Sequence, residues 1–567
     1  MCSYTWEFEK KLQDPRLAEE KELILEYPTV YIHNCFRAKQ YEVYIGETNN
    51  IINRTLQHLE ASKDKTKWQR MLNSKTASSY LIGHDHFNKS LTLDIENKLM
   101  LYLSSVDRVS RVYNRRGNPQ NKYYTSQEFE EIFAKIWEEL HKWNGELFPT
   151  ASSIISSAIY KASPLHKLTA EQEKAKRIII EKVKRAVGQE KTGQIIFVSG
   201  EAGTGKTVLN SSLFYELCTM KEEENPGKLD CYLLVNHDEQ LTVYQRIAKK
   251  LRLQDEKKKI VCKPTKFIKT HSEDDPVDVV FVDEAHLLWT QGKQAYQGKN
   301  QLFDIQKRAK VIIIMFDKNQ ILRREQYWEQ ELIEDLEKQA KKDDNYLELK
   351  EQLRIQAGKE TLEWIYSFTK NQQINKIPFD KEYEIKIFDT PEQLQDAIVQ
   401  KAQNENTKLS RLIATFDWGF KKAKCRKERI EKPWEISIGD WKMPWNLQVP
   451  DEEEEKRKNK DLAWAEQNHT INEVGSTYTI QGFDLNYAGV ILGPSVKYRD
   501  GKIVFDPDCS KNHSVVQART LSNGKKQKFG KTLIKNEVNV LMTRGIDSLY
   551  IYAQDEALRE ALQKAKA

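Results

Sequence analysis

The sequence has little of what marks secreted and membrane proteins. Among its 567 residues there are only 7 cysteines, and none forms a Cys-x-x-Cys pair. Scattered thiols predict a reduced, cytoplasmic protein and argue against a disulfide scaffold. No apolar run approaches the roughly 20 residues of a membrane span. The first residues, Met1-Cys2-Ser3-Tyr4-Thr5-Trp6-Glu7, lack the basic-then-apolar order of a secretory signal, so no membrane partner is expected. A strong charge of one sign is also missing. The net charge is +6, which permits nucleic-acid binding without arguing for it. There is no internal repeat. What is present is length and a balanced soluble composition, 31% charged and 39% hydrophobic. A chain this long exceeds one core, and several domains are expected.

One stretch organises the rest. Gln194 to Val198 is a β-branched, apolar run that reads as a buried strand, and Gly200-Glu201-Ala202-Gly203-Thr204-Gly205-Lys206-Thr207 follows it. Val208 onward reads as a helix. Strand, G-x-x-x-x-G-K-T loop and helix together are the context of a P-loop. Gly200, Gly203 and Gly205 would let the backbone wrap phosphates with its N–H groups at a helix start. Lys206 would neutralise the β- and γ-phosphates, and Thr207 would bind Mg²⁺. Downstream, Val277 to Val282 reads as a second buried strand ending in Asp283-Glu284. Asp283 would hold Mg²⁺ through water, and Glu284 would polarise the attacking water. ATP and Mg²⁺ are the cofactors this predicts.

Further motifs resemble those of superfamily 1 helicases. Gln172, upstream of the P-loop, stands where such enzymes read the adenine edge. Val311 to Phe316 followed by Asp317-Lys318-Asn319-Gln320 resembles the third motif, and the resemblance implies that Gln320 senses the γ-phosphate. Leu349-Lys350-Glu351-Gln352-Leu353-Arg354 resembles motif four, and Thr479-Ile480-Gln481-Gly482-Phe483-Asp484 motif five, with Thr479 and Gln481 linking the γ-phosphate to the strand groove. Glu537 to Gly545 resembles motif six. By that resemblance Arg354 and Arg544 complete the ATP site, where two arginines would meet the charge spread over the transition state. From about residue 166 to the end the chain most resembles Schlafen-related bacterial helicases.

The N-terminal part resembles another family. Thr29-Val30-Tyr31 and Tyr44-Ile45-Gly46 are similar to the two halves of the GIY-YIG endonuclease signature, with Thr29 in place of the first glycine. Arg54 follows Tyr44 by ten residues, as the family pattern asks. The resemblance covers about residues 28–125. It implies that Glu96 is the single Mg²⁺ ligand, that Arg54 clamps a phosphate oxygen, and that Tyr31 orients or deprotonates the water with Tyr44 or His58 assisting. Asn114 and Asn118 both stand where the family has an asparagine.

The expected fold is α/β and multidomain: a small GIY-YIG domain with helical flanks (1–145), a linker (146–165), and two RecA-like domains with parallel sheets (166–378 and 379–567). Residues 126–150 read as an amphipathic helix anchored by Phe129, Phe133, Trp137 and Trp143. Arg323 to Lys350 reads as a charged helical stretch. Trp434, Trp441 and Trp445 read either as exposed base-stacking platforms or as a packed insert. The function implied is an ATP-dependent helicase or translocase joined to a metal-dependent endonuclease. DNA is favoured as partner and RNA is possible, with a homo-oligomer or a partner defence protein also possible. By analogy the architecture suggests bacterial antiphage defence. Two other readings stay open: an ATP-gated nuclease that does not unwind, and a motor whose N-terminal domain only binds nucleic acid.

Overall fold

The computed structural model describes residues 18–566 apart from 55–73, 75, 114–122, 190, 221–228, 256–257, 293–295, 421–433, 447–458, 460–461 and 481–482. The chain forms two compact units, Met1–Lys167 with Val243–Lys259, and Leu168–Thr242 with Ile260–Ala567.

The first unit is built on a four-stranded mixed sheet ordered β3-β1-β2-β4. β1 (Thr29–Arg37) and β2 (Gln40–Thr48) form an antiparallel hairpin, β3 (Ala77–Ile82) runs antiparallel to β1, and β4 (Val109–Val112) runs parallel to β2. The hairpin turns on Ala38 and Lys39, both at positive φ, the twist that two-residue hairpin loops require. The helix Lys89–Ser105 packs on this sheet. It starts because the Asn88 side chain accepts from the N–H groups of Ser90 and Leu91, each at 3.0 Å. At its other end the buried Lys250 ammonium donates to the carbonyls of Ser104 (3.0 Å) and Val106 (2.6 Å). That is a cation at a helix C-terminus, where the dipole favours it. Burial lowers the pKa of Lys250 to about 7.

The aromatic helix is Phe129–Trp143. Phe133 and Trp137 are buried as expected, but Trp143 is 65% exposed and stacks on Tyr80. It sits at the last helical residue, beyond the face that meets the core. Two short helices, Ala151–Ser156 and Ala158–Lys161, follow.

The second unit holds two parallel sheets. The first has six strands ordered β10-β5-β9-β8-β6-β7: β5 (Gln194–Gly200), β6 (Cys231–Val235), β7 (Val261–Cys262), β8 (Val277–Asp283), β9 (Ala309–Phe316) and β10 (Tyr346–Leu349). The near-continuous apolar runs of β8 and β9 are what a parallel sheet covered on both faces demands. The stretch 323–350 is not wholly helical. Its helix is Gln330–Lys342, and β10 then pairs with β5. Tyr346-Leu347-Glu348-Leu349, short and set between charged flanks, hides an edge strand.

The second parallel sheet is ordered β11-β21-β16-β12-β15. Its strands are β11 (Glu384–Ile387), β12 (Arg411–Ala414), β15 (Gly475–Ser476), β16 (Leu485–Leu492) and β21 (Gly545–Ala553). Three small hairpins decorate it: β13 (Glu435–Ile438) with β14 (Trp441–Pro444), β17 (Val496–Arg499) with β18 (Lys502–Phe505), and β19 (Arg519–Thr520) with β20 (Lys526–Gln527). Trp441 and Trp445 are buried in one apolar cluster with Phe388, Leu412 and Tyr550, and Trp434 packs against it. The three tryptophans therefore belong to a packed insert rather than a stacking platform. Both sheets are those of RecA-like lobes, and the fold is α/β and multidomain.

The helix Gly530–Met542 buries Glu537 in the second lobe, where its carboxylate accepts from the Phe416 N–H (3.1 Å) and the Thr477 hydroxyl (3.4 Å). Burial, with Asp417 nearby, pushes its pKa up to about 8. An unfolded glutamate titrates at about 4.3, so between these values the folded protein binds the extra proton and stability falls as pH rises. The expected slope from this one group is up to about 1.4 kcal/mol per pH unit. Denaturant midpoints from pH 5 to 8 should fall in wild type and fall less in Glu537→Gln. Parallel curves would contradict a buried neutral acid.

Candidate functional site

In the second unit the carboxyl ends of β5, β8 and β9 converge, the place where open α/β sheets bind ligands. The P-loop follows β5, and the helix Lys206–Thr219 begins at its end. Gly203 and Gly205 have φ of +88° and +72°, and a Cβ at Gly203 would fall 1.9 Å from the Gln352 side-chain oxygen. Only glycine accommodates both demands. Lys206 is buried and donates to the carbonyls of Gly200 (2.8 Å) and Glu201 (2.7 Å), with Asp317 3.7 Å away. Thr207 is the next helical residue. Gln172 caps its own helix and also reaches the Gly205 carbonyl at 3.3 Å. It is therefore held against the loop rather than left on the surface.

Asp283 ends β8 buried, and its carboxylate accepts from Gln240 at 2.8 Å. Glu284 follows at φ +49°, a left-handed conformation that costs a non-glycine residue about 1–2 kcal/mol. Its buried Oε2 accepts no hydrogen bond among the described residues, and His286 lies 3.5 Å away. Burial alone would raise the Asp317 carboxyl, but Lys206, His286 and hydrogen bonds from Gln320 and the Asn319 N–H outweigh it and hold it below the usual range.

From Asp317 a network runs into the second lobe. Gln320 donates to Asp317 at 2.8 Å and accepts from Arg544 at 3.0 Å. Arg544 lies 3.8 Å from Asp484, and Arg354 pairs with the same Asp484 oxygen at 2.7 Å. Burial, then the neighbouring Arg354, lowers the Arg544 pKa to about 10, so it stays charged at neutral pH. Gln352 and Leu353 tie this segment back to the P-loop: the Gln352 amide donates to the Ala202 carbonyl (2.7 Å) and the Leu353 N–H to the Gly203 carbonyl (2.8 Å). The helix bearing the sixth motif reaches across too, Asn536 donating to the Ile321 carbonyl at 2.9 Å. Thr479 spends its hydroxyl inside its own turn, bonding Ser476. Gln481 lies outside the described residues.

The donor set fits a nucleoside triphosphate with Mg²⁺. A glycine-lined helix start with Lys206 beside it could take anionic phosphates, Asp283 could hold a hydrated cation, and the Glu284 carboxylate could accept a water proton. Sequence reasoning missed three participants: Gln240, Gln352 and Asp484. Asp484 was within sight as the acidic end of motif five, but no spacing showed that it faces two arginines.

In the first unit the structure brings Tyr31, Tyr44 and Arg54 together. The Arg54 Nε donates to the Tyr31 hydroxyl at 3.4 Å, and the two tyrosine rings stack 6.1 Å apart. Gly46 is needed here, since a Cβ would stand 2.4 Å from the Tyr31 hydroxyl oxygen. Burial, reinforced by Tyr44, raises the Tyr31 hydroxyl far above neutral pH, although Arg54 pulls it down. Tyr31 is thus a hydrogen-bonding group rather than a ready base. His33, which the sequence did not single out, lies 4.9 Å from the Tyr31 ring and bonds Ser79 at 2.7 Å. Glu96 is buried on the helix Lys89–Ser105. His58, Asn114 and Asn118 lie outside the described residues. Among the described residues no group of three or more His, Cys, Asp or Glu side chains is placed to hold a metal.

These features define a P-loop enzyme with two RecA-like lobes. Family comparison agrees: the model described as "Schlafen group 3, DNA/RNA helicase domain" matches residues 193–555, so the chain belongs to that family. Its helicase domain implies an NTP-hydrolysing enzyme that binds nucleic acid and uses ATP with Mg²⁺. The chain is also similar to "Uncharacterized protein YPL245W" of Saccharomyces cerevisiae, 32% identical over 433 residues, which are 70% of this chain and 90% of that protein. Among the described residues no helix is long and apolar enough to cross a membrane.

Proposed function

We propose that this chain uses ATP to move along or separate nucleic-acid strands, with Lys206, Thr207, Asp283, Glu284, Gln320, Arg354 and Arg544 as the hydrolytic set. One observation carries the reading: the network from Lys206 through Asp317 and Gln320 to Arg544 draws on both parallel sheets. A site shared between lobes couples hydrolysis to their relative motion, which a P-loop on one sheet would not. The test is strand displacement on forked DNA and RNA duplexes with ATP and Mg²⁺. ATP-dependent separation is expected, and hydrolysis that leaves every duplex paired would make the enzyme a switch instead.

For the first unit the proposal is metal-dependent phosphodiester cleavage of the GIY-YIG type. What supports it is the Tyr31, Tyr44 and Arg54 cluster over Gly46, with Glu96 buried on the adjoining helix. Arg54 would neutralise phosphate charge, Tyr31 would orient water, and Glu96 would hold the Mg²⁺ that polarises the scissile group. An antiphage role follows only from the joining of these two activities, and loss of phage resistance on deleting the gene is its test.

A further inference from the structure

Asp484 stands between two guanidinium groups, Arg544 buried and Arg354 half-buried. Its Oδ1 pairs with Arg354 at 2.7 Å and lies 3.8 Å from Arg544, whose side chain is 1% exposed. The arrangement is fixed by backbone as well, because the Leu485 N–H donates to the Arg544 carbonyl at 2.9 Å. Arg354 arrives on the other lobe's segment, anchored to the P-loop through Gln352 and Leu353. One carboxylate thus faces two cations. The neighbour on the other side of Arg544 is the neutral amide of Gln320, while Glu284 and Asp317 act on Arg544 from farther off. Two like charges held this close, one of them buried, favour an anion between them, and removing that anion is costly unless another replaces it.

We propose that Asp484 is an internal competitor for the γ-phosphate: it holds Arg354 and Arg544 together and yields them to nucleotide, and so sets the preference of the site for ATP over ADP. The inference rests on the proposed ATP site. A terminal phosphate carries more charge and more acceptor oxygens than a carboxylate and takes the arginines by charge-assisted hydrogen bonds. ADP lacks that group and gains nothing when Asp484 lets go. Exchanging the carboxylate for a neutral amide of the same shape removes the competitor and leaves both guanidinium groups seeking an anion.

The test is equilibrium binding of ADP and of a non-hydrolysable ATP analogue to the full chain. Asp484→Asn should raise the preference for the analogue over ADP by about tenfold. Asp484→Glu, which keeps the charge, should stay near the wild-type ratio. In an Arg354→Ala background the Asp484→Asn gain should shrink by at least half, because one of the two cations is gone. A purely structural role would weaken both nucleotides alike. An unchanged or lower ratio in Asp484→Asn, with both nucleotides still bound, overturns the proposal. If the single variant does not melt cooperatively, the double variant against Arg354→Ala carries the comparison through Arg544: a residual gain supports the proposal, and none overturns it. Lys206→Ala separates the two failures. It should lose both nucleotides, and if it binds them as wild type does, the ATP site itself is misassigned.

Discussion

Lys206→Ala and Glu284→Gln should each lower ATP turnover by at least about 10², and only the first should also weaken ATP binding severely. Lys206 is buried, and the Gly200 and Glu201 carbonyls aim its ammonium along the P-loop. Its charge would act on phosphate in the ground state and in the transition state, so its removal should cost affinity as well as rate. A loss of about 10²–10³ in turnover is expected from one such electrostatic contact. Glu284 differs because its carboxylate would act on water. The glutamine has the same shape and hydrogen-bonding reach but cannot take a proton, so turnover should fall by about 10²–10⁴ with nucleotide still bound. The left-handed backbone at Glu284 supports this assignment, since strain of that kind persists where surroundings fix a residue for a purpose. Radiolabelled ATP turnover beside equilibrium binding checks both variants. Normal turnover in either would remove that residue from the mechanism.

Glu96→Ala should eliminate metal-dependent cleavage of nucleic acid and leave ATP hydrolysis unchanged. Glu96 and the hydrolytic residues belong to different compact units, so neither variant should disturb the other chemistry. In the proposed role Glu96 would be the metal ligand, which alanine removes outright, and the loss should reach the detection limit. Tyr31→Phe is the finer probe. It keeps the ring packed over Gly46 and removes only the hydroxyl that accepts from Arg54. Because burial keeps that hydroxyl protonated, its loss should act through water and Arg54 positioning, with a cleavage rate lowered by about 10²–10³. Cleavage by both variants at the wild-type rate would mean that the cluster is a packing feature and the first unit binds without cutting.

The sequence was most legible where local chemistry and period agree. β5, the P-loop and the helix after it could be read directly, as could β8 ending in Asp283 and β9 ending in Asp317, because buried parallel strands are apolar runs with punctuated ends. Legibility failed where a role depends on a partner far along the chain. β10 is a four-residue edge strand with charged neighbours, and nothing local distinguishes it from the helix before it. Yet the segment after it brings Gln352 and Leu353 to the P-loop and Arg354 to Asp484. Trp441 and Trp445 could stack or pack, and only the cluster around Leu412 and Tyr550 decides for packing. Asp484 and Gln240 are ordinary polar residues until Arg354, Arg544 and Asp283 are seen beside them. Lys250 looks like one more surface lysine, but it is buried on the carbonyls that end the helix of Glu96.

The central claim is that one ATP site is completed by both lobes. Its most direct test is turnover and nucleotide affinity measured side by side in Arg354→Ala and Arg544→Ala. Arginines that meet charge developing in the transition state act on rate, and such fingers are worth about 10³–10⁵. The account predicts that each variant loses turnover by at least about 10³ while ATP affinity changes by far less. Weaker binding with unchanged turnover would contradict it, because Arg354 and Arg544 would then be ordinary binding residues and the second lobe would have no part in the chemistry.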